Sequence, residues 1–470
     1  MKDSNQKSLT KEYGLVWDKL TEEELSGLMA FSEGYKRFLD ASKTEREAAA
    51  EIIRLAEKAG FKNLKSLIES NSKLKHGDKV YAVNMDKTVA MFIIGKSPIE
   101  KGMNIVGSHI DSPRLDLKPN PLYQELGLSL LKTHYYGGIR KYQWVTLPLA
   151  LHGVIIKKGG EKLNVVIGED EGDPVLYITD LLPHLAAEQN EKKLSKAIEG
   201  EDLNILFGSI PLKEGEKENK VKMNIIRLLN EKYGIDEEDF VTAELEVVPA
   251  GKSRDVGLDR SMVMAYGHDD RVCAYTSLRA VMEVEKPEKT NVVLFVDKEE
   301  VGSIGATGMQ SRFFENTVAE VMELAGSYSE LKLRRALTNS RMLSSDVTAA
   351  VDPTYQSVNE KYNAAYLGKG IAFAKYTGSR GKSGCNDANA EYVGALRDIF
   401  NENGITWQTG ELGKVDQGGG GTIAYILAGY DMEVIDCGVP MLSMHAPWEI
   451  TSKADVYETY RAYKVFLEKA

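Results

Sequence analysis

The stretch Asn291-Val292-Val293-Leu294-Phe295-Val296-Asp297-Lys298-Glu299-Glu300-Val301-Gly302-Ser303 decides how the rest of the chain is read. An unbroken apolar run that stops at adjacent carboxylates and a small-residue turn reads as a strand covered on both faces, as in a parallel sheet. Open α/β sheets bind their ligands beyond the carboxyl ends of such strands. Alone, Asp297, Glu299 and Glu300 would pass for a solvated acidic loop. The weight of the stretch therefore depends on whether other segments are built alike.

Four others are. Asn104-Ile105-Val106-Gly107-Ser108-His109-Ile110-Asp111-Ser112-Pro113 is again an apolar strand that delivers polar groups, and strand alternation would put His109 and Asp111 on one face. An aspartate so placed accepts from the imidazole and decides which ring nitrogen meets a metal. Met262-Val263-Met264-Ala265-Tyr266-Gly267-His268-Asp269-Asp270-Arg271 leads into an amphipathic helix to about 283. There Asp270 reads as a complement to the helix dipole and Asp269 as the residue free for chemistry. Met342-Leu343-Ser344-Ser345-Asp346-Val347 reaches a further carboxylate, and the strand over 434–440 is followed by Met444-His445-Ala446-Pro447-Trp448-Glu449.

At 470 residues the chain outgrows one core, so two domains or one with a large insertion are expected. The character changes between 115 and 263, where short β-rich runs (144–151, 154–156, 163–167) alternate with Gly-rich turns, and the charged run 214–218 reads as a solvated loop. His134, in the sequence Lys132-Thr133-His134-Tyr135-Tyr136-Gly137-Gly138, reads as structural. The predicted architecture is α/β: a doubly wound mixed sheet with helices on both faces, built from 1–114 and 264–470, with 115–263 as an inserted β-rich domain. Helical spacing predicts helix over about 21–60, 307–324 and 453–467, and a hairpin over 80–94 turning at Asn84-Met85-Asp86-Lys87.

Composition excludes several classes. No apolar run approaches ~20 residues, so nothing is expected to span a membrane. Residues 1–11 are polar, without an apolar signal core, which points to a cytoplasmic protein. A net charge of −11 disfavours nucleic acid as a partner. The three cysteines, Cys273, Cys385 and Cys437, lack metal-site spacing and are expected to stay reduced and pack as small apolar groups.

Collected, the strand-end groups are His109, Asp111, Asp269, Glu299, Glu300, Asp346 and His445. Imidazole with carboxylate suits zinc, cobalt or manganese, and the absence of thiolates favours a catalytic over a closed structural site. Two metals sharing one ligand need about three protein ligands each, and this set supplies them.

Gly107-Ser108-His109-Ile110-Asp111-Ser112-Pro113-Arg114, His268-Asp269-Asp270-Arg271, Asp297 to Ser303, Ser344-Ser345-Asp346 and Met444-His445-Ala446-Pro447, in that order over nearly the whole chain, resemble the aspartyl aminopeptidase and vacuolar aminopeptidase I family of zinc metallopeptidases. The resemblance implies the two-metal exopeptidase fold. It implies two divalent ions, zinc with cobalt or manganese as alternatives, bridged by Asp269. His109 and Asp346 complete one site, Glu300 and His445 the other. Glu299 is then the general base acting on a water between the metals, whose pKa the metals lower towards ~7. Asp111 orients His109, and a cis peptide precedes Asp270. The resemblance further implies that the insertion packs on another subunit, giving dimers that assemble into a dodecamer, with peptides as substrates.

One position departs from the pattern. Members that prefer N-terminal Asp or Glu carry a His three residues beyond the aspartate ligand, where this chain has Ala349, so a broader or neutral preference is expected unless Lys369 or Lys375 supplies the missing charge. Three rival readings are weaker. Gly378-Ser379-Arg380-Gly381-Lys382-Ser383 resembles a phosphate cradle but has Tyr376 where a P-loop needs its first Gly, and Gly418 to Gly421 reads as a wall of the substrate cleft. A non-catalytic scaffold has no use for Glu299 beside a ligand. A metal-dependent hydrolase of another amide, such as an N-acyl amino acid, shares the metal site and differs only in substrate.

Overall fold

The computed structural model describes residues 13–213, 218–379, 384 and 386–470. Residues 1–11, most of the 214–218 run, the Lys382 loop and Cys385 lie outside the described residues. The apolar run becomes the strand Thr290–Val296, buried at every position, inside a nine-stranded sheet. It pairs in parallel with Met103–His109, which pairs in parallel with Arg341–Ser344, and that strand likewise with Glu433–Gly438. The carboxyl ends of four adjacent strands therefore open along one edge. The sheet is mixed because Thr88–Ile93 runs antiparallel to Thr290–Val296, and Ile371–Ala374 antiparallel to Glu433–Gly438.

Why the run is apolar throughout follows from the layers. Val293 and Phe295 join one core with the helices Glu22–Asp40, Glu45–Lys58, His268–Glu283 and Lys453–Lys469. Val292 and Leu294 face a second core under Phe313–Leu324 and Glu330–Thr338. Each such side chain gains about 1.5–3 kcal/mol on burial, so the positions Val292 to Val296 tolerate no polar residue at low cost, whereas Asn291 at the start of the strand donates its side chain to the Leu467 carbonyl. The doubly wound α/β expectation holds.

Two further sheets frame the open edge. A six-stranded antiparallel sheet, ordered Lys162–Ile167, Leu149–Ile156, Ala243–Pro249, Arg114–Glu125, Leu128–Tyr136 and Ile205–Gly208, has its own core around Trp144, Leu151 and Val247. A five-stranded sheet draws together Met262–Ala265, Glu449–Ser452, Pro440–Leu442 and Thr348–Ala349, and sets Glu449 opposite Ala265.

Several local expectations shift. The helix expected over 21–60 is two, because Thr44 starts the second: its side chain accepts from Glu47 N–H while the Glu47 carboxylate accepts from Thr44 N–H. In the hairpin turn Met85 and Asp86 both take left-handed φ, 50° and 57°, matching strand twist. The runs 144–151 and 154–156 resolve into one strand, Leu149–Ile156, while Trp144 follows a short 3-10 turn and fills the core. The helix expected from 307 starts at Phe313, since Thr307 Oγ1 donates to Asp297 Oδ2 and draws its segment back on to the strand end. The helix Lys220–Tyr233 in the inserted stretch was not expected; Gly234, at φ 65°, ends it. Cys273 and Cys437 are free and buried. Among the described residues no helix is long and apolar enough to cross a membrane.

Candidate metal centre

At the open edge the five candidate ligands converge. His109, Asp269 and Asp346 offer ligand atoms that all lie within 4.8 Å of one another, and so do Asp269, Glu300 and His445. Asp269 belongs to both groups. Its Oδ1 lies 3.1 Å from His109 Nε2 and its Oδ2 3.2 Å from His445 Nε2. Asp346 Oδ1 stands 3.9 Å from His109 Nε2, and Glu300 Oε2 3.5 Å from His445 Nε2. Glu299 completes the ring with Oε2 3.9 Å from His109 Nε2.

Both imidazoles are aimed by groups behind them. His109 is the last residue of its strand, yet Ile110 N–H still donates to the Val296 carbonyl at 2.8 Å, and the His109 and Asp111 side chains meet. His109 Nδ1 faces the main-chain carbonyl of Asp111 at 3.1 Å and its Oδ1 at 3.2 Å. Both are acceptors, which keeps the proton on Nδ1 and leaves Nε2 free to bind. His445 Nδ1 likewise donates to the Gly138 carbonyl at 3.0 Å. The Asp111 carboxylate also accepts from the backbone N–H groups of Glu299 and Glu300, 3.2 Å each, and so fixes the turn that carries both glutamates.

Asp270 stands in the first turn of its helix, as expected, and has a second task there. It is fully buried beyond a cis Asp269–Asp270 peptide, and its Oδ2 accepts from His109 N–H at 3.2 Å. Glu449 was missed altogether. Buried beside Ala265, it accepts from Asp269 N–H at 3.1 Å through one oxygen and from His445 N–H at 2.7 Å through the other. His445 holds a left-handed φ of 64°, a conformation that needs such a clamp. Spacing alone gives a faint signal for Glu449, four residues after the histidine; nothing in the sequence says that it takes backbone donors. Its replacement is informative: Glu449→Gln leaves one N–H facing an amide donor, and we expect zinc to bind ~10–100-fold more weakly, read by chelator competition.

The electrostatics fit cations. Burial, then neighbouring carboxylates, push Glu300 and Asp346 well above the usual carboxylate range, and burial raises Glu299 to about 7. Asp269 is held low, against its burial, by the two imidazoles, and Asp111 by His109. Glu300 Oε1 and Asp269 Oδ1 are buried with no hydrogen-bond partner. Crowded carboxylates with open oxygens beside two aimed imidazoles form a donor set suited to borderline divalent ions.

The centre opens into a cleft of about 880 Å³ walled by Leu412, Val415, Tyr376, Tyr425, Met444 and the Gly418 to Gly421 run. Gly438 also lines it and must lack a side chain, since a Cβ there would lie 1.8 Å from the Asp346 carbonyl oxygen. Lys369 and Lys375 are turned over the rings of Tyr366 and Tyr376 and are not among the described lining residues, whereas Lys414 is. His134 is exposed and Nδ1 meets only the Tyr135 carbonyl.

Comparison with known proteins identifies the family. A family model described as aminopeptidase I zinc metalloprotease (M18) matches residues 38–467. A probable M18 family aminopeptidase 1 of Clostridium acetobutylicum is 64% identical over 459 residues, covering 98% of this chain and 99% of that protein. A crystal structure of an M18 family aminopeptidase from Thermotoga maritima superposes with TM-score 0.93 at 47% identity, covering 98% of this chain and 100% of that one. The S. cerevisiae mApe1 dodecamer has the same fold, with TM-score 0.74, 21% identity and 94% and 97% of the two chains covered.

Proposed function

This chain belongs to the M18 family of zinc metallopeptidases and is an aminopeptidase; from that premise we propose that it works with two divalent ions shared through Asp269. The observation that carries the proposal is the pair of distances from the two Asp269 oxygens to two different histidines, 3.1 and 3.2 Å. His109 and Asp346 complete one set of ligands, Glu300 and His445 the other. When bound, the ions supply Lewis acidity, polarising the scissile carbonyl and making water acidic enough to attack near neutral pH. Glu299 Oε2 takes the proton of the attacking water and returns it to the leaving amine. Asp111 keeps the Nδ1 proton on His109 and holds the Glu299 backbone, so base and ligands keep one geometry. Leu412, Val415, Tyr376 and Tyr425 line the cleft and take the apolar parts of a peptide.

The first residue's free amine distinguishes this reading from hydrolysis of an N-acyl amino acid. An unblocked dipeptide or tripeptide should be cleaved, and its N-acetylated form should survive at equal enzyme concentration; liquid chromatography of the products decides. Cleavage of the blocked peptide at a comparable rate would overturn this mechanism. With Ala349 in the strand Thr348–Ala349 and neither Lys369 nor Lys375 among the described lining residues, the proposed preference is broad or neutral, and Lys414, which does line the cleft, is the lysine placed to meet an acidic side chain.

The six-stranded sheet within 115–263 is proposed to pack on another subunit as a dimerisation and lid domain. Leu181, Leu182, Leu185 and Leu194 expose at least half their surface there, an apolar excess that suits a partner of the same kind. A dodecamer built from dimers, as a counterpart to the S. cerevisiae dodecamer, and residence in the cytoplasm complete the proposal.

A further inference from the structure

The inserted sheet reaches the metal centre at one end of one strand. Tyr136 is the last residue of Leu128–Tyr136, and its hydroxyl donates to Asp111 Oδ2 at 2.8 Å. That is the same carboxylate that faces His109 and receives the N–H groups of Glu299 and Glu300. The ring is held in turn: Arg114, its register partner, lays its guanidinium 3.9 Å from the ring centroid. Arg114 is itself fixed by Asp116 at 2.8 Å, Glu246 at 3.1 Å and Glu45 at 3.5 Å. Two residues on, the Gly138 carbonyl receives His445 Nδ1. One strand end thus touches the groups that aim both histidines.

We propose that Tyr136 is a positioning residue for the metal centre, its hydroxyl locking the Asp111 carboxylate and, through it, His109 and the Glu299–Glu300 turn. The inference rests on the two-ion reading above. A carboxylate that must accept from two backbone N–H groups and face an imidazole at once has room to rotate, and a rotation breaks one contact to improve another. The fourth donor removes that freedom. Burial and the charge of Asp111 push the phenol above its usual range, so it stays a donor at any working pH. A purely structural tie between the two sheets predicts something else: a lower melting temperature with an unchanged metal centre.

The test is Tyr136→Phe in the full-length zinc enzyme. Partners behind metal ligands are worth about 10–100-fold in metal affinity or activity, and we expect zinc affinity by chelator competition and kcat at saturating zinc each to fall by about tenfold or more, with KM within about twofold. The visible spectrum of the cobalt-substituted protein should shift as well. In an Asp111→Asn background the same substitution should add less than about threefold, since its effect passes through Asp111. Zinc affinity and kcat within about twofold of the parent overturn the proposal, whatever happens to the melting temperature. If Tyr136→Phe is insoluble, Arg114→Lys frees the ring while keeping the hydroxyl, and unchanged zinc affinity there overturns it equally. His109→Ala separates this from failure of the metal reading: if that variant still binds zinc like the parent, the two-ion site itself is wrong.

Discussion

Glu299→Gln lowers kcat by about 10²–10⁴-fold while zinc content and melting temperature stay near those of the parent. The substitution keeps volume and shape and removes only the capacity to take a proton. A thousandfold loss corresponds to ~4 kcal/mol of transition-state stabilisation. Glu299 is separable from the ligands because its Oε2 is 3.9 Å from His109 Nε2 and it belongs to neither metal-binding triad. Its raised carboxyl, about 7 with burial as the main cause, is drawn down again when positive charge is held beside it, so the base is free at neutral pH. The decisive measurement is steady-state kinetics on a metal-analysed sample. Turnover within tenfold of the parent, with zinc present, would sink the assignment of the base.

Stripping the metal has the other large effect. Dialysis against a chelator should abolish peptide cleavage, and zinc, cobalt or manganese added back should restore it. Stability changes too: an ion at a thousand times its dissociation constant stabilises the folded state by about 4 kcal/mol. The pH dependence of the stripped protein carries a sign. Glu299 in the folded chain titrates at about 7 against a usual 4.5, so between those values the folded state holds a proton that the unfolded chain has released. Stability of the stripped protein therefore falls as pH rises from 4.5 to 7. The zinc-loaded protein should lose this slope, because positive charge held beside Glu299 draws its carboxyl back down. Thermal melts of both forms across that window check it, and a stripped protein that gains stability over the same interval contradicts the account.

Much of the site is legible in the sequence, for a physical reason. His109, Glu299, Glu300 and Asp346 lie at or just beyond the ends of apolar strands in one parallel set, and a parallel strand buried on both faces announces itself by composition. What stays hidden works through the backbone or through strand register. Glu449 and Asp270 accept main-chain N–H groups, which nearly every residue offers, so no pattern of side chains marks them. Tyr136 meets Asp111 because one strand ends where it does, a fact set by the pairing of Arg114 with Tyr136 and not by composition. The break between the first two helices is marked faintly: Ala41 to Thr44 contains no Gly or Pro, and the signal left is the capping box of Thr44 with Glu47 that starts the second helix.

The candidate metal centre takes its side chains from segments spread along the chain from His109 to His445. Synthesis runs from the amino terminus, and a half-made chain that has folded its early strands still lacks the second imidazole. The full set of candidate ligands thus exists only after the strand Glu433–Gly438 and the turn that follows it have been made.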